Sequence, residues 1–441
     1  MICRIGFWSI QELKDRNMIY YQKGSETTRL TNEDLKKSLY IALDKLGKRK
    51  RVLVVPPDYT RFHSQAGILT SYAYLYYKDN LTDILPALGT HSPMSEKEIT
   101  TMFEDIPKTL FRVHDWRNDV ITVGTVPDDY VAEITDDKVR YHWPAQLNKL
   151  LWEGKHDLIL SIGQVVPHEV IGMANYNKNL FVGTGGAEGI NKSHFIGAVY
   201  GMERLMGRAD NPVRKLLNYA SEHFISGLPV LYIHTVVGLD DSGDLVTRGL
   251  FIGDDEQVFL KAAALSLKVN VTLIEVPLKK VVVYLDPEEF KSTWLGNKSI
   301  YRTRMAMADG GELIILAPAL KEFGEDREID RLIRKYGYRG THSILKTTEV
   351  ENELRDNLSA AAHLIHGSSE GRFSITYCPG YLTKQEIESV GFNYAPLDEM
   401  MKLYNPEQLK EGYNQLPGGE SVYFISNPAI GLWAYKEKFK K

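Results

Sequence analysis

Residues 165–197, VVPHEVIGMANYNKNLFVGTGGAEGINKSHFIG, set two histidines and a lysine around a run of glycines. His168 and His194 carry imidazoles, which titrate near neutrality and serve as acid, base or metal ligand. Lys178 carries an amine that can bond covalently to a carbonyl-type group. Asn-Lys-Asn is a poor helix interior, and Gly183, Gly185, Gly186 and Gly189 weaken either regular structure, so a flexible loop is expected here. His168 follows the apolar LILSIG, at the carboxyl end of an expected strand, and Pro167 stiffens its approach. His194 falls near the start of an amphipathic helix, SHFIGAVYGMERLM, with Asn191 or Ser193 as cap. The positive end of that helix would keep the imidazole neutral, the form a metal requires.

Other polar clusters sit at similar places. In VVPPDYTRFHSQAG, Asp58, Thr60 and Arg61 lie between a strand and a helix, where free N–H groups and a guanidinium suit a phosphate or carboxylate. In PALGTHSPMSEKE, His91 and Ser92 follow a strand, and Ser95 with Glu98 forms a capping box for the next helix. His114 reads as structural, with Asp115 and Arg117 as surface charges. Further on, STWLGNKSIYRTRMAMADGG places Trp294 and Lys298 one helical turn apart. The glycine run GTGGAEG lacks both the dinucleotide fingerprint and a Walker lysine, and neither His-Glu-x-x-His nor Gly-x-Ser-x-Gly occurs. His91, His168 and His194 are too far apart for a local zinc motif, although folding could unite them.

The elements that must position these residues alternate. RVLVV (51–55), DILPAL (83–88), DLILSIG (157–163), PVLYIHTVV (229–237) and ELIILAP (312–318) read as strands. QAGILTSYAYLYY (65–77), SEKEITTMFED (95–105), DDEQVFLKAAALSLK (254–268) and DREIDRLIRKYG (326–337) read as helices. The expected class is α/β, with two α/β domains, mixed but largely parallel sheets and an active-site cleft between them. VTLIEVPLKKVVVYLD (271–286) marks the boundary: a first domain over 1–272, completed by 418–441, and a second over 273–417. In 441 residues, 43% hydrophobic with a net charge of −4, nothing draws the chain to nucleic acid or an anionic membrane. Two cysteines, Cys3 and Cys378, indicate no disulfide framework. The opening MICRIGFWSIQELKDRN becomes charged too soon for a secretory signal, and no apolar run reaches the ~18 residues of a spanning helix, so a cytoplasmic location is expected.

Taken in order, DYTR (58–61), ALGTHSPMS (87–95), VVPHEVIG (165–172), Lys178 and NKSHFIG (191–197) resemble the nickel-pincer lactate racemase family. The separations from His168 to Lys178 and on to His194 carry most of the likeness, and a weaker one continues through Lys298. The resemblance implies a pyridinium mononucleotide that grips nickel through two sulfurs and a ring carbon. It implies that Lys178 carries this cofactor covalently, that His194 completes the nickel site, and that His91 and His168 are the acid/base pair. Arg61, Lys298 and Trp294 would serve the substrate, and Asp58, Thr60 and Arg61 the cofactor. Gly185 and Gly186 would let the backbone approach it closely. The partners implied are a 2-hydroxy acid and the cofactor-synthesis proteins that load the enzyme.

One departure bears on the substrate. The lactate enzymes commonly have arginine after the motif histidine, GTHRPM, where this chain has Ser92. A shorter hydroxyl side chain suits a longer polyhydroxylated acid, and the region around Lys298 resembles family members acting as D-mannonate/D-gluconate-type 2-epimerases. Epimerisation of an aldonate is therefore expected ahead of racemisation of lactate. Two readings of other classes stay open on the residues alone: a zinc hydrolase built on the three histidines, and a non-catalytic nickel or sugar-acid binding protein.

Overall fold

The computed structural model describes residues 18–240, 242–429 and 431–439. The charged N-terminal stretch and Cys3 lie outside the described residues. The chain divides into two compact units, one made of residues up to 193 with 207–270, the other of 194–206 with 271 onward.

The first unit is built on a six-stranded sheet. Its strands are β1 (Ile19–Gly24), β2 (Val52–Val55), β3 (Leu81–Ile84), β4 (Leu158–Gln164), β5 (Val230–Leu239) and β6 (Leu245–Gly253), in the order β1-β6-β5-β4-β2-β3. The run β5-β4-β2-β3 is parallel, while β6 joins antiparallel to both β5 and β1. β2 is buried at every position and β4 at all but its last, as expected for parallel strands covered on both faces. The helix Asn32–Leu46 starts at a Thr31–Asp34 capping box and turns Leu35, Leu39, Ala42 and Leu43 into the core. The helix Ala66–Tyr77 adds Leu69 and Ala73 to the same core. β3 ends at Ile84, short of the predicted Leu88, although Leu85 and Ala87 still bond across to Val54 and Pro56. An outlying antiparallel ladder pairs Val120–Val126 with Trp143–Asn148.

The second unit holds another six-stranded sheet: β7 (Leu278–Tyr284), β8 (Met307–Ala317), β9 (Ser374–Pro379), β10 (Asn393–Tyr394), β11 (Gly412–Gln415) and β12 (Ser421–Ile425). Its order is β10-β9-β8-β7-β12-β11, parallel throughout except for the edge strand β11. Here one expectation is corrected: the C-terminal segment does not return to the first unit. The apolar β12 is zipped to β7 through Val281–Tyr423, Val282–Phe424 and Val283–Ile425, and Leu432–Tyr435 runs parallel to Val271–Ile274. Burial of Val422, Phe424 and Ile425 in the second unit's sheet holds that segment where it is.

Candidate active site

In the first unit β2 leads on to β3 at one side, while its neighbour β4 leads on to β5 at the other, so the connections leave the crevice between β2 and β4 in opposite directions. Ligands of open α/β sheets bind beyond the carboxyl ends of the strands at such a switch point. Asp58, Thr60 and Arg61 follow β2, His91 and Ser92 follow β3, and His168 follows β4, so the sheet gathers at one edge residues widely separated in the chain. The loops are tied together there, since the Gly89 N–H donates to the Gly183 carbonyl at 2.8 Å. Gly89 has φ +58, which glycine adopts without strain.

Asp58 does not cap the short 3₁₀ turn that follows it. Its buried carboxylate instead accepts hydrogen bonds from Thr60 Oγ1 and, at 2.6 Å, from His91 Nδ1. Burial opposes ionisation of Asp58, but the charge and hydrogen bond of His91, with Thr60 and Arg61, outweigh it and hold the carboxyl below its ordinary range. An acceptor on Nδ1 fixes the ring proton there and leaves the Nε2 lone pair available, the arrangement of an oriented general base. The predicted capping box of Ser95 and Glu98 is present and anchors the loop's far end. Ser92 is exposed.

His168 is oriented differently. It is buried in a tight two-residue ladder with Gly172–Met173, and its Nδ1 accepts the Val170 N–H at 3.1 Å. The neutral ring therefore carries its proton on Nε2. The Glu169 carboxylate approaches Nδ1 to 3.8 Å.

Lys178 lies in a short helix, Asn177–Phe181, surrounded by buried residues, which corrects the expectation of a flexible loop. The three neighbouring asparagines explain why a poor helix sequence is used. Asn175 donates to His234 Nδ1, Asn177 to Asn218 Oδ1 and Ser221 Oγ, and Asn179 to the Val55 carbonyl and Ser161 Oγ. Each side chain is spent on an anchor, and the lysine between them is held. Asn175 (φ +68) and Tyr176 (φ +61) adopt left-handed backbone, a strain of about 1–3 kcal/mol each that surrounding contacts must offset. Lys178 retains some accessible surface, yet its amine is desolvated. Burial first, then the positive charge of Arg61, lowers its pKa to about 8, against weaker support from Glu169 and Asp58.

Gly185 and Gly186 each meet a requirement of the chain itself on the side where a Cβ would lie. A Cβ on Gly185 would lie 1.9 Å from the Phe181 carbonyl oxygen, and one on Gly186 would lie 2.4 Å from Gln146 Oε1. The close approach is therefore protein against protein. His114, expected among surface charges, is buried: its Nε2–H donates to the Gly185 carbonyl at 2.9 Å, and Asn148 Nδ2 donates to its Nδ1 at 3.1 Å. This brace on the turn after Lys178 had no local signature in the sequence.

In the second unit, His194 lies in a helix running from Ala187 to Tyr200. That helix begins seven residues before it, so His194 is mid-helix, and neither Asn191 nor Ser193 is a cap; Ser193 Oγ donates back to the Ile190 carbonyl. The helix-end argument for a neutral imidazole therefore does not apply. The Trp294 ring lies 4.4 Å from that of His363, tilted by 30°, and His363 Nε2 shares a 2.9 Å hydrogen bond with Tyr338 Oη. Lys298 begins the next helix, Lys298–Thr303, and its ammonium lies 3.4 Å from Glu289. Any substrate carboxylate on Lys298 would compete with that partner. His363 was not anticipated, although its presence beside His366 in AAHLIHG is visible in the sequence.

Among the described residues no group of three or more His, Cys, Asp or Glu side chains is arranged to hold a metal ion. No helix among them is long and apolar enough to cross a membrane.

Residues 14–204 match the lactate racemase N-terminal domain. Over its full length the chain is similar to a structure of a protein from Thermotoga maritima, with 26% identity and a TM-score of 0.79, covering 94% of this chain and 100% of that one. It also shares its fold with the lactate racemase apoprotein from Thermoanaerobacterium thermosaccharolyticum, at 18% identity and a TM-score of 0.68, over 92% of this chain and 93% of the other. No curated protein matches it. Residues 14–204 thus carry a lactate racemase N-terminal domain, within a chain that has the fold of the lactate racemase apoprotein.

Because the Gly185 position is closed by backbone, Gly185→Ala should destabilise the protein by about 1–3 kcal/mol, the usual range for overpacking. Urea denaturation measures this; an unchanged midpoint would mean that the turn yields freely.

Proposed function

We propose that the protein is an isomerase that inverts C2 of a 2-hydroxy acid with a nickel-pincer nucleotide, and that its substrate is a sugar acid of the D-gluconate/D-mannonate kind rather than lactate. The match of residues 14–204 to the lactate racemase N-terminal domain supports an isomerase of hydroxy acids. The observation that carries the reading is the pairing, at one sheet edge, of the oriented Asp58–His91 base with a desolvated amine at Lys178.

The residues fit the group. Lys178 Nζ makes no hydrogen bond or ion pair among the described residues, and neither does the Arg61 guanidinium. A guanidinium near enough to depress the amine, with no ion pair of its own, suits an anionic nucleotide that also acylates that amine. Among the described residues no three-residue metal cluster is present, so a metal held by His194 needs donors from an organic group. Lys178 would hold the nucleotide, after loading by cofactor-synthesis proteins, and His194 is the metal ligand that the resemblance suggests. When bound, the group supplies a reversible acceptor for the C2 hydrogen as hydride.

The chain's own residues manage the proton. His91 Nε2 takes the substrate hydroxyl proton, and Asp58 stabilises the resulting imidazolium while holding the ring in place. His168 serves the opposite stereoisomer, whose hydroxyl points the other way. To exchange a proton through Nε2 it must also protonate Nδ1, which the Val170 amide opposes; Glu169 is the carboxylate within reach of that second proton. Arg61 offers positive charge to the substrate carboxylate; Lys298 and Trp294, in the second unit, are further substrate contacts that the resemblance suggests. Ser92, exposed where lactate enzymes commonly have arginine, leaves space and a hydroxyl for a longer chain.

Two measurements follow. Protein produced with the cofactor-synthesis proteins should carry a covalent mass increment, absent from Lys178→Ala; an increment that persists in the variant would remove Lys178 as the attachment point. Asp58→Asn should keep the increment but lose about 10²–10⁴-fold in turnover, the range for a misplaced acid–base group. Wild-type turnover in Asp58→Asn would show that the carboxylate does not orient the base.

A further inference from the structure

Arg214 is the most deeply buried cation in the first unit that has no carboxylate partner. It sits in the first turn of the helix Pro212–Phe224, which is capped by Asn211, whose Oδ1 accepts the Arg214 N–H. Its guanidinium donates to the Met173 carbonyl at 2.7 Å, to the Asn175 carbonyl at 3.4 Å and to Asn177 Oδ1. Its remaining N–H, on Nε, has no hydrogen-bond partner among the described residues. The charge is covered by rings: Phe259 lies 4.3 Å and Tyr176 5.6 Å from it, and these two rings stack on each other. Asn211 adds a bond to the Ile171 carbonyl, and Asn218 and Ser221, further along the same helix, accept from Asn177. One helix thus grips the backbone from 171 to 177, across the left-handed pair Asn175–Tyr176, up to the residue before Lys178.

A planar fork bridging three acceptors is a task for arginine, and a buried arginine without a carboxylate is costly unless the bridging matters. We infer that Arg214 is the positioning residue of Lys178: its guanidinium clamps the strained Met173–Asn177 turn and so keeps the lysine amine out of water as a nucleophile. Release of the clamp lets the turn relax and the amine rehydrate. The charged groups facing that amine are Arg61, Asp58, Glu169 and Arg214 itself. Around Arg214 stand Glu256, Tyr176 and Tyr232, and burial brings its own pKa down to about 10, so it stays charged at neutral pH. The same surroundings keep His234 neutral, through burial first and then Arg214, with a pKa of about 3.

The inference rests on Lys178 as the attachment residue, but its test needs no cofactor. Cofactor-free protein is treated with trace acetic anhydride from pH 6 to 10, and acetylation of Lys178 is read by peptide mass spectrometry against the exposed Lys97. In this reaction the amine nitrogen forms the amide bond, acetate leaves, and the ammonium proton passes to water. The wild-type midpoint is expected near pH 8. Arg214→Lys keeps the charge but cannot bridge three acceptors; it should raise the midpoint by one unit or more, leaving roughly tenfold less reactive amine at pH 7. Asn177→Ala, which removes one acceptor and leaves the guanidinium, should raise it by less and guards against an Arg214 variant that does not fold. A raised midpoint in the folded variants supports the clamp, and an unchanged midpoint in either one overturns it. Failure of Lys178 as the attachment point would appear instead as a cofactor adduct that survives Lys178→Ala.

Discussion

Keeping one amine dry is the constraint on which the first unit's polar architecture depends. A lysine in water is almost wholly protonated at neutral pH and is no nucleophile; removal of its hydration shifts that balance. Desolvation is effective only if the side chain cannot escape to solvent, and here three asparagines point away from it into separate anchors. The anchors reach β2, β4, β5 and the helix Pro212–Phe224, so the short helix carrying Lys178 is fastened on several sides. The glycine turn that follows is closed by its own backbone and braced by His114. Strain at Asn175 and Tyr176 is the cost of this arrangement.

The two histidines share a sheet edge but not an environment. His91 is oriented by a buried aspartate, and His168 by a backbone amide with a glutamate at longer range. An enzyme that treats both stereoisomers of a substrate needs a base on each side, but nothing requires the bases to be built alike. On the proposed reading the difference implies unequal reorganisation: His91 would be ready as it stands, while His168 would first trade its amide for a carboxylate.

Much of this was legible from sequence where the signal was local. The continuous apolar runs of β2 and β4, the Ser95–Glu98 capping box and the placement of polar clusters after strands all depend on residues a few positions apart. The illegible parts are pairings across long separations. Nothing near Asp58 names His91 as its partner, and Arg214 reads as an ordinary helix cation until the turn 173–177 is seen against it. The close packing of Gly185 against Phe181 was not legible, because a glycine's need for space does not say what occupies it. His194 was set at a helix start because Gly189 suggested a break, yet one glycine in a helix costs only about 1 kcal/mol and the longer helix tolerates it. The strand β12 was sent to the wrong unit because apolar residues announce burial without naming the sheet.

The central claim is that the C2 hydrogen leaves and returns as hydride without meeting solvent. Its most direct test is inversion of C2-deuterated gluconate by the loaded enzyme in ordinary water, with the mannonate product examined by mass spectrometry. The account predicts that the deuterium is retained at C2. Complete washout in a single inversion would contradict it, because a proton passed through His91 or His168 exchanges with water; turnover of lactate alone would contradict the sugar-acid assignment.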